Sequence, residues 1–593
     1  MEPGARLPVT RGRALFSGSA MIVFRDHDEE ADPGPLLTGL LARAGTLLQG
    51  RSGPARDDLV ALLIDLGVLE AAIADALFPE RDDRSPLADA LRRASSCAGR
   101  MLHASWRGEP LAEWPRALVT ALEQAAALPL PSPVRLKTPE GYAYYALYPE
   151  MYLAAAERLA RRTGPARAVC IGLRGIGTSL AAVVAATLAA EGWTVESLTL
   201  RPRGHPFDRR PAATVRLAAW LPARKDGFFL VVDEGPGLSG SSLCGTAAWL
   251  SGLGIPDERI VLFPSRDPDP ATLISDEARA RWQRHRKEHV PFEAAILPRA
   301  PFPAGSRELS GGAWRSLVYA TEAAWPATAP MFERRKFLAE GTYGRPVLHK
   351  FAGLGRYGRA AHARGQALAE AGFGPEILGY RQGFLAQRWI DGRPLAAGGA
   401  DGAFLRWAAR YFVHRARRFP TGEPARPEAL LEMIRTNLAE GLGEPAGLAG
   451  LDRHLRGFGE VPAVAIDGRV RPHEWLATGH GYCKVDNTDH HADHLYPGPT
   501  DIAWDLAGFG AEFALAPAAL ADLARAVADR TGDPGLAARL PFYELAYLAA
   551  RLGQASFDAT ALGETAEGER MRCLARCYRR QLRASLVRLR AQL

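Results

Sequence analysis

The chain has 593 residues, 47% of them hydrophobic and 23% charged, which is enough for more than one packed core and excludes a disordered chain. No run approaches the roughly 18 uninterrupted apolar residues that cross a bilayer, and the N-terminus lacks a secretory signal pattern, so a cytoplasmic protein without a membrane partner is expected. The formal charge of +7 is almost all arginine, with only six lysines, and the arginines lie among acids rather than in an aromatic-interleaved basic stripe, which sets nucleic acid last among partners.

Residues 1–134 are expected to form a helical accessory domain. After a strand-like start at Ala20–Phe24, Leu59–Leu77 and Pro86–Leu102 place apolar residues at helical spacing, and no chemical constellation accompanies them. The prolines of Leu128–Pro133 then stop any helix. The six cysteines are scattered without a Cys-x-x-Cys pair, which excludes the usual zinc and redox motifs.

From 135 to 303 the texture alternates strand and helix. A stretch with five tyrosines and a helix, 138–162, leads to strand Ala168–Ile171, a Gly-rich turn and a helix to Ala190. Strand Val195–Leu200 follows, then an irregular Arg-rich stretch to Lys225, strand Phe228–Val232, and strand Arg259–Phe263. Such alternation predicts a doubly wound parallel sheet, with its site beyond the carboxyl ends of the strands. Arg281–His289 reads as a solvated charged helix, and Pro298–Pro303 as a second linker.

The informative unit here is Phe228–Val232, which runs into Asp233 and Glu234 and then a small-residue loop to Ser242. Backbone amides and hydroxyls at such a strand-to-helix turn suit a phosphate, and the acids suit ribose hydroxyls or a metal ion. This unit, with the turn Gly172–Ser179 before it, resembles type I phosphoribosyltransferases. The resemblance implies phosphoribosyl diphosphate (PRPP) and Mg²⁺ as ligands, with Asp233, Glu234 and Arg174 as catalytic residues. It implies PRPP contacts from Gly172, Gly175, Gly177, Thr178, Arg201, Arg203, Gly237, Ser239, Gly240, Ser241 and Ser242. One departure is that four residues, Gly235–Leu238, separate the acids from Ser239-Gly240, one more than is usual in the family.

Residues 304–593 have another texture: Gly341-Thr-Tyr-Gly344 between short strands, Lys350 on the second strand, a helix from Arg359, and a strand pair within Pro375–Arg388. Later come Val464–Leu476, read as two strands around an Asp467-Gly468 turn, then Asp486 at a strand end, the run Asp489–His494, and Asp505-Leu-Ala. This order resembles aminoglycoside-phosphotransferase-like kinases with two lobes. The resemblance implies ATP bound near Gly341, Gly344, Lys350 and Glu474, a metal aspartate at Asp486, and a supporting aspartate at Asp505. His490 and His494, four apart, would share a helix face and join Asp486 as metal ligands. The family's catalytic loop carries an aspartate five residues before an asparagine; here Glu474 stands near the asparagine's place, and no aspartate lies five residues before it.

The expected architecture is therefore α/β and α+β multidomain: a helical N-terminal segment, a doubly wound phosphoribosyltransferase-like domain and a two-lobed kinase-like domain. The expected function is a bifunctional transferase that phosphoribosylates a small-molecule acceptor with PRPP and carries an ATP-dependent phosphotransferase-like unit. A PRPP- or nucleotide-sensing regulatory protein with one or both sites non-catalytic is the alternative, followed by a nucleic-acid-binding protein.

Overall fold

The computed structural model describes residues 21–25, 28–49, 55–205, 208–237, 239–273, 275–341, 344–443 and 451–591, so residues 1–20 of the expected N-terminal segment lie outside the described residues. A five-stranded, wholly parallel sheet runs in the order Thr194–Leu200, Arg167–Leu173, Phe228–Val232, Ile260–Phe263, Arg286–Lys287. Successive residues of a strand face opposite sides, and here both sides are covered. Leu230 and Val232 lie in one core with helices Arg56–Leu77, Pro86–Arg107, Pro149–Thr163 and Gly177–Ala190, whereas Phe229 and Val231 lie in another with helices Ser241–Gly252 and Asp276–Arg284. That burial is why the strand reads as an unbroken apolar run.

The N-terminal helices share the first of these cores rather than a separate one. Helix Pro86–Arg107 crosses helix Gly177–Ala190 so closely that a Cβ on Gly99 would come within 2.6 Å of the Ala182 carbonyl oxygen. Inside this seam Arg92 donates to the Thr178 carbonyl (3.0 Å) and pairs with Glu70 (3.2 Å), which also accepts from Ser95 Oγ (2.6 Å).

Two local expectations are corrected. The charged run Arg281–His289 is not one helix: helix Asp276–Arg284 is capped by Ser275 and ends before the last parallel strand, Arg286–Lys287. The irregular stretch after Arg201 contains an antiparallel hairpin, Pro202–His205 with Asp208–Pro211, and helix Val215–Trp220.

Beyond residue 304 a five-stranded antiparallel sheet has the order Arg307–Glu308, Lys336–Ala339, Val347–Phe351, Phe384–Arg388, Ile377–Arg381. Helix Gly355–Glu370 packs against it, and a helical lobe follows, built on Gly402–Arg418, Ala503–Glu512, Leu536–Leu562 and Ala566–Arg590. The tyrosine-rich stretch links the two sheets: Tyr152 donates to the Asp233 carbonyl (2.7 Å), Tyr148 to the Gln382 carbonyl (2.6 Å), and Tyr145 meets His494 Nε2 at 3.0 Å. Among the described residues no helix is long and apolar enough to cross a membrane.

Candidate functional site

At the carboxyl ends of the parallel strands, the Gly-rich turn and the acid pair lie against each other. A Cβ on Gly177 would come within 2.5 Å of the Val232 carbonyl oxygen and 3.3 Å of Asp233 Oδ1, and one on Gly172 would meet the Gly177 carbonyl at 2.5 Å, so glycine is needed at both positions. Gly175 (φ 126°) and Gly240 (φ 63°) take backbone conformations that favour glycine. Thr178 is buried at the start of helix Gly177–Ala190, while Ser241 and Ser242 open helix Ser241–Gly252, with Ser239 Oγ accepting from the Ser241 amide (3.3 Å). Gly237 caps the turn by accepting from the Gly240 amide through its carbonyl (3.0 Å).

The three arginines expected to face an anion are engaged elsewhere. Arg174 pairs with Asp82 and Asp75, Arg201 with Asp75, and Arg203 with Asp82 (2.9 Å). Both acids belong to the N-terminal helical region, and Asp82 also accepts from the Arg201 backbone amide (2.7 Å). Burial, partly offset by Asp75, lowers the Arg174 pKa to about 9.

Burial raises the Asp233 carboxyl to about 6 and the Glu234 carboxyl to about 8, the latter reinforced by Glu140 and Asp233. Glu234 accepts from the Gly141 amide (3.2 Å). Folding therefore binds a proton that the unfolded chain releases, and stability is lost as pH rises from about 4.5 to about 8. Glu234→Gln is expected to stabilise the protein by about 3 kcal/mol at pH 8.5, discounted for partial solvent contact, and by under about 1 kcal/mol at pH 5. Thermal midpoints across that range measure it; an equal shift at both pH values contradicts the assignment.

The second place is a cavity of about 200 Å³ between the antiparallel sheet and the helical lobe. One end is an apolar slot of Leu348, Pro375, Ile390, Leu476 and Val485, next to the connecting segment Gln387–Ile390. Lys350 sits at its head, bonded to Asp486 and to Asp489 (3.1 Å). Burial opposes the lysine's charge, but the two aspartates outweigh it and raise its pKa; Lys350, His490 and Arg469 in turn hold Asp486 well below the usual carboxylate range, against burial. Asp486 has φ 55°, an unusual conformation for a non-glycine residue and one found at functional sites.

The loop below Lys350 is fixed from a distance. Asp505 accepts from the backbone amides of Asp467 (2.7 Å) and Gly468 (2.8 Å), and buried Arg415 donates to the carbonyls of Ala465 (2.8 Å) and Asn487 (2.9 Å). Asp467-Gly468 is thus not the expected hairpin turn: Asp467 is fully buried, accepts from Tyr411 Oη (2.5 Å) and lies 3.3 Å from Lys484 Nζ. The next residue, Arg469, is five before Glu474. Its Nε donates to Glu474 (2.5 Å) and its Nη2 to Asp486 (2.5 Å).

Among the predicted metal ligands, Asp486 and His490 come together with Glu474, their ligand atoms all within 4.8 Å of one another. His494 does not join them: residues 490–492 form a single 3₁₀ turn, and His494 stacks on Phe24 (5.3 Å between ring centroids). Nor do Gly341 and Gly344, predicted at the nucleotide, line the cavity; the Gly344 amide donates to the Gly341 carbonyl (3.2 Å), and a Cβ on Gly341 would meet the Arg345 carbonyl at 2.2 Å. Asp489, read from the sequence as one of a run of metal-ligand types, instead pairs with Lys350 (3.1 Å), and sequence reasoning missed Lys484 and Arg469. The available signal was the spacing back from Glu474.

A divalent ion fits this arrangement poorly. Asp467, Glu474, Asp486, Asp489 and Asp493 are each already paired with Arg334, Lys350, Arg469, Lys484 or His490, and Arg469 bridges the same Glu474 and Asp486 that would hold the ion. Asp558, which also lines the cavity, is buried, its carboxyl pushed up to about 7 by burial, and its Oδ1 has no hydrogen-bond partner.

No protein-family model matches the chain, and no curated protein matches it. Among solved structures, the choline kinase LicA from Streptococcus pneumoniae is similar at 12% identity, over 42% of this chain and 89% of that one, with a TM-score of 0.31. A choline/ethanolamine kinase family protein from Mesorhizobium loti (18% identity, 42% and 90% covered, TM-score 0.26) and the macrolide 2′-phosphotransferase MphH from Brachybacterium faecium (18%, 43% and 90%, 0.28) are similar to a comparable extent. Likeness at these TM-scores is slight and assigns no chemistry to this chain; the cavity's own residues have to carry any functional reading.

Proposed function

We propose that the cavity beyond residue 304 binds a nucleoside triphosphate such as ATP and belongs to a phosphotransferase-like unit acting on a small-molecule acceptor. The observation that carries this reading is Lys350, buried between Asp486 and Asp489 at the head of an apolar slot. A slot of that kind suits a purine, and a lysine on the adjoining strand suits the phosphates. Asp558 and the hydrogen-bonded pair Arg551–Gln554, which also line the cavity, offer the acceptor an acid, a cation and an amide. Calorimetry with ATP tests the reading: wild type is expected to bind, and Leu476→Trp, which fills the slot, to bind at least about tenfold more weakly. No heat with wild type would refute it.

A second reading concerns the parallel sheet. Gly172–Thr178, Asp233–Glu234 and Ser239–Ser242 converge beyond the carboxyl ends of its strands, where open parallel sheets place ligands. PRPP with Mg²⁺ is the ligand this supports, with phosphoribosyl transfer as the activity. The engagement of Arg174, Arg201 and Arg203 by Asp75 and Asp82 favours a sensor that does not turn over. A PRPP arm in the same calorimetry, with Asp233→Asn as control, separates this site from the cavity.

A further inference from the structure

We infer that His103, Glu157 and Glu191 form a binding site for a zinc-type divalent ion, separate from both the cavity and the loops at the strand ends. The three residues come from three helical segments. His103 lies on Pro86–Arg107, Glu157 on Pro149–Thr163, and Glu191 directly follows Gly177–Ala190. Their ligand atoms all lie within 4.8 Å of one another.

What distinguishes this cluster from a chance grouping of acids is an unsatisfied imidazole. His103 is only 5% exposed, and its Nε2 has no hydrogen-bond partner; Glu157 Oε1 is likewise buried without one. Buried polar atoms are almost always partnered, so two unpartnered atoms on residues whose ligand atoms lie within 4.8 Å of one another ask for a missing group. Arg107 and Arg161 approach Glu157 only at 3.6 and 3.8 Å, beyond hydrogen-bonding distance, and their side chains are 49% and 65% exposed, so both can turn to solvent.

One imidazole and two carboxylates match the ligand types of zinc, which accepts three protein ligands and a water. Tetrahedral coordination at about 2.1 Å sets donors about 3.4 Å apart. Glu191 is partly exposed, so its side chain has room to adjust toward that spacing. The site would staple the N-terminal helices to the two helices that cover the parallel sheet.

The test is titration of the metal-free full chain with Zn²⁺, followed by calorimetry and by the thermal midpoint, with Co²⁺ absorption as the coordination readout. One equivalent is expected to bind and raise the midpoint, and His103→Ala and Glu191→Gln are each expected to weaken binding by at least about tenfold. Glu191→Gln, at the rim, keeps the test open if His103→Ala does not fold. Absence of saturable binding overturns the inference. Binding that survives both substitutions but is lost in His490→Ala overturns it too, because the ion would then lie in the cavity.

Discussion

Replacing Mg²⁺ by EDTA is expected to leave the ATP affinity of the wild-type chain within about threefold, whereas Arg469→Ala is expected to make binding depend on a divalent ion by about tenfold or more. Arg469 joins Glu474 and Asp486 with one guanidinium; without it the two carboxylates, within 4.8 Å of each other, keep only Lys484 on Glu474 and Lys350 with His490 on Asp486. At an effective dielectric constant of about 20 that repulsion is about 3 kcal/mol, and partial exposure of Asp486 lowers it toward the 1.4 kcal/mol of a tenfold effect. A divalent ion would relieve it in the variant but has little to relieve in the wild type. Calorimetry in both buffers decides: loss of wild-type binding in EDTA would show that the ion, not the arginine, neutralises this corner.

The same residue constrains the chemistry. In kinases the catalytic-loop aspartate accepts the acceptor's proton, and a guanidinium cannot do so. On the proposed phosphotransferase reading, counting back five residues from Glu474 puts Arg469 in that place, and Asp505 accepts from the two amides just before it. Asp558, also on the cavity wall, has an oxygen without a hydrogen-bond partner and a carboxyl pushed up to about 7 by burial. Proton transfer in this unit, on the proposed reading, belongs to the acceptor end rather than to the loop under Lys350.

Much of the scaffold was legible because local pattern and tertiary environment agree. Phe228–Val232 is uniformly apolar and is buried on both faces; the glycines at 172 and 177 stand where backbones touch. Asp467-Gly468 shows the opposite case, a local turn signal overruled by a carboxylate 38 residues away. The run Arg281–His289 failed similarly, because pairing with Val261 and Leu262 draws Arg286–Lys287 into the sheet. The partners of Arg174 and Arg201 were out of reach of any local reading: Asp75 and Asp82 lie about a hundred residues away or more, in a segment whose sequence shows only helical periodicity. Lys350 was visible for a compositional reason, since lysine is scarce in this arginine-rich chain.

Asp82→Ala is expected to cost about 3–5 kcal/mol of stability, read as a lower denaturant midpoint of the transition that includes the parallel sheet. Asp82 is fully buried, pairs with Arg174 and Arg203 and accepts from the Arg201 amide; its loss leaves Arg174, itself 4% exposed, with Asp75 alone at 3.3 Å. Removing one partner of a buried ion pair is costlier than never having had the pair, because the remaining charge is desolvated without compensation. Asp82→Asn keeps an oxygen for the Arg201 amide and should lose less. These variants also separate two roles for the arginines. If the three serve a diphosphate, freeing them from Asp82 raises PRPP affinity while stability falls, so the acid acts as an internal competitor of the ligand. A fall in stability with unchanged PRPP binding assigns the arginines to the seam between the N-terminal helices and the sheet.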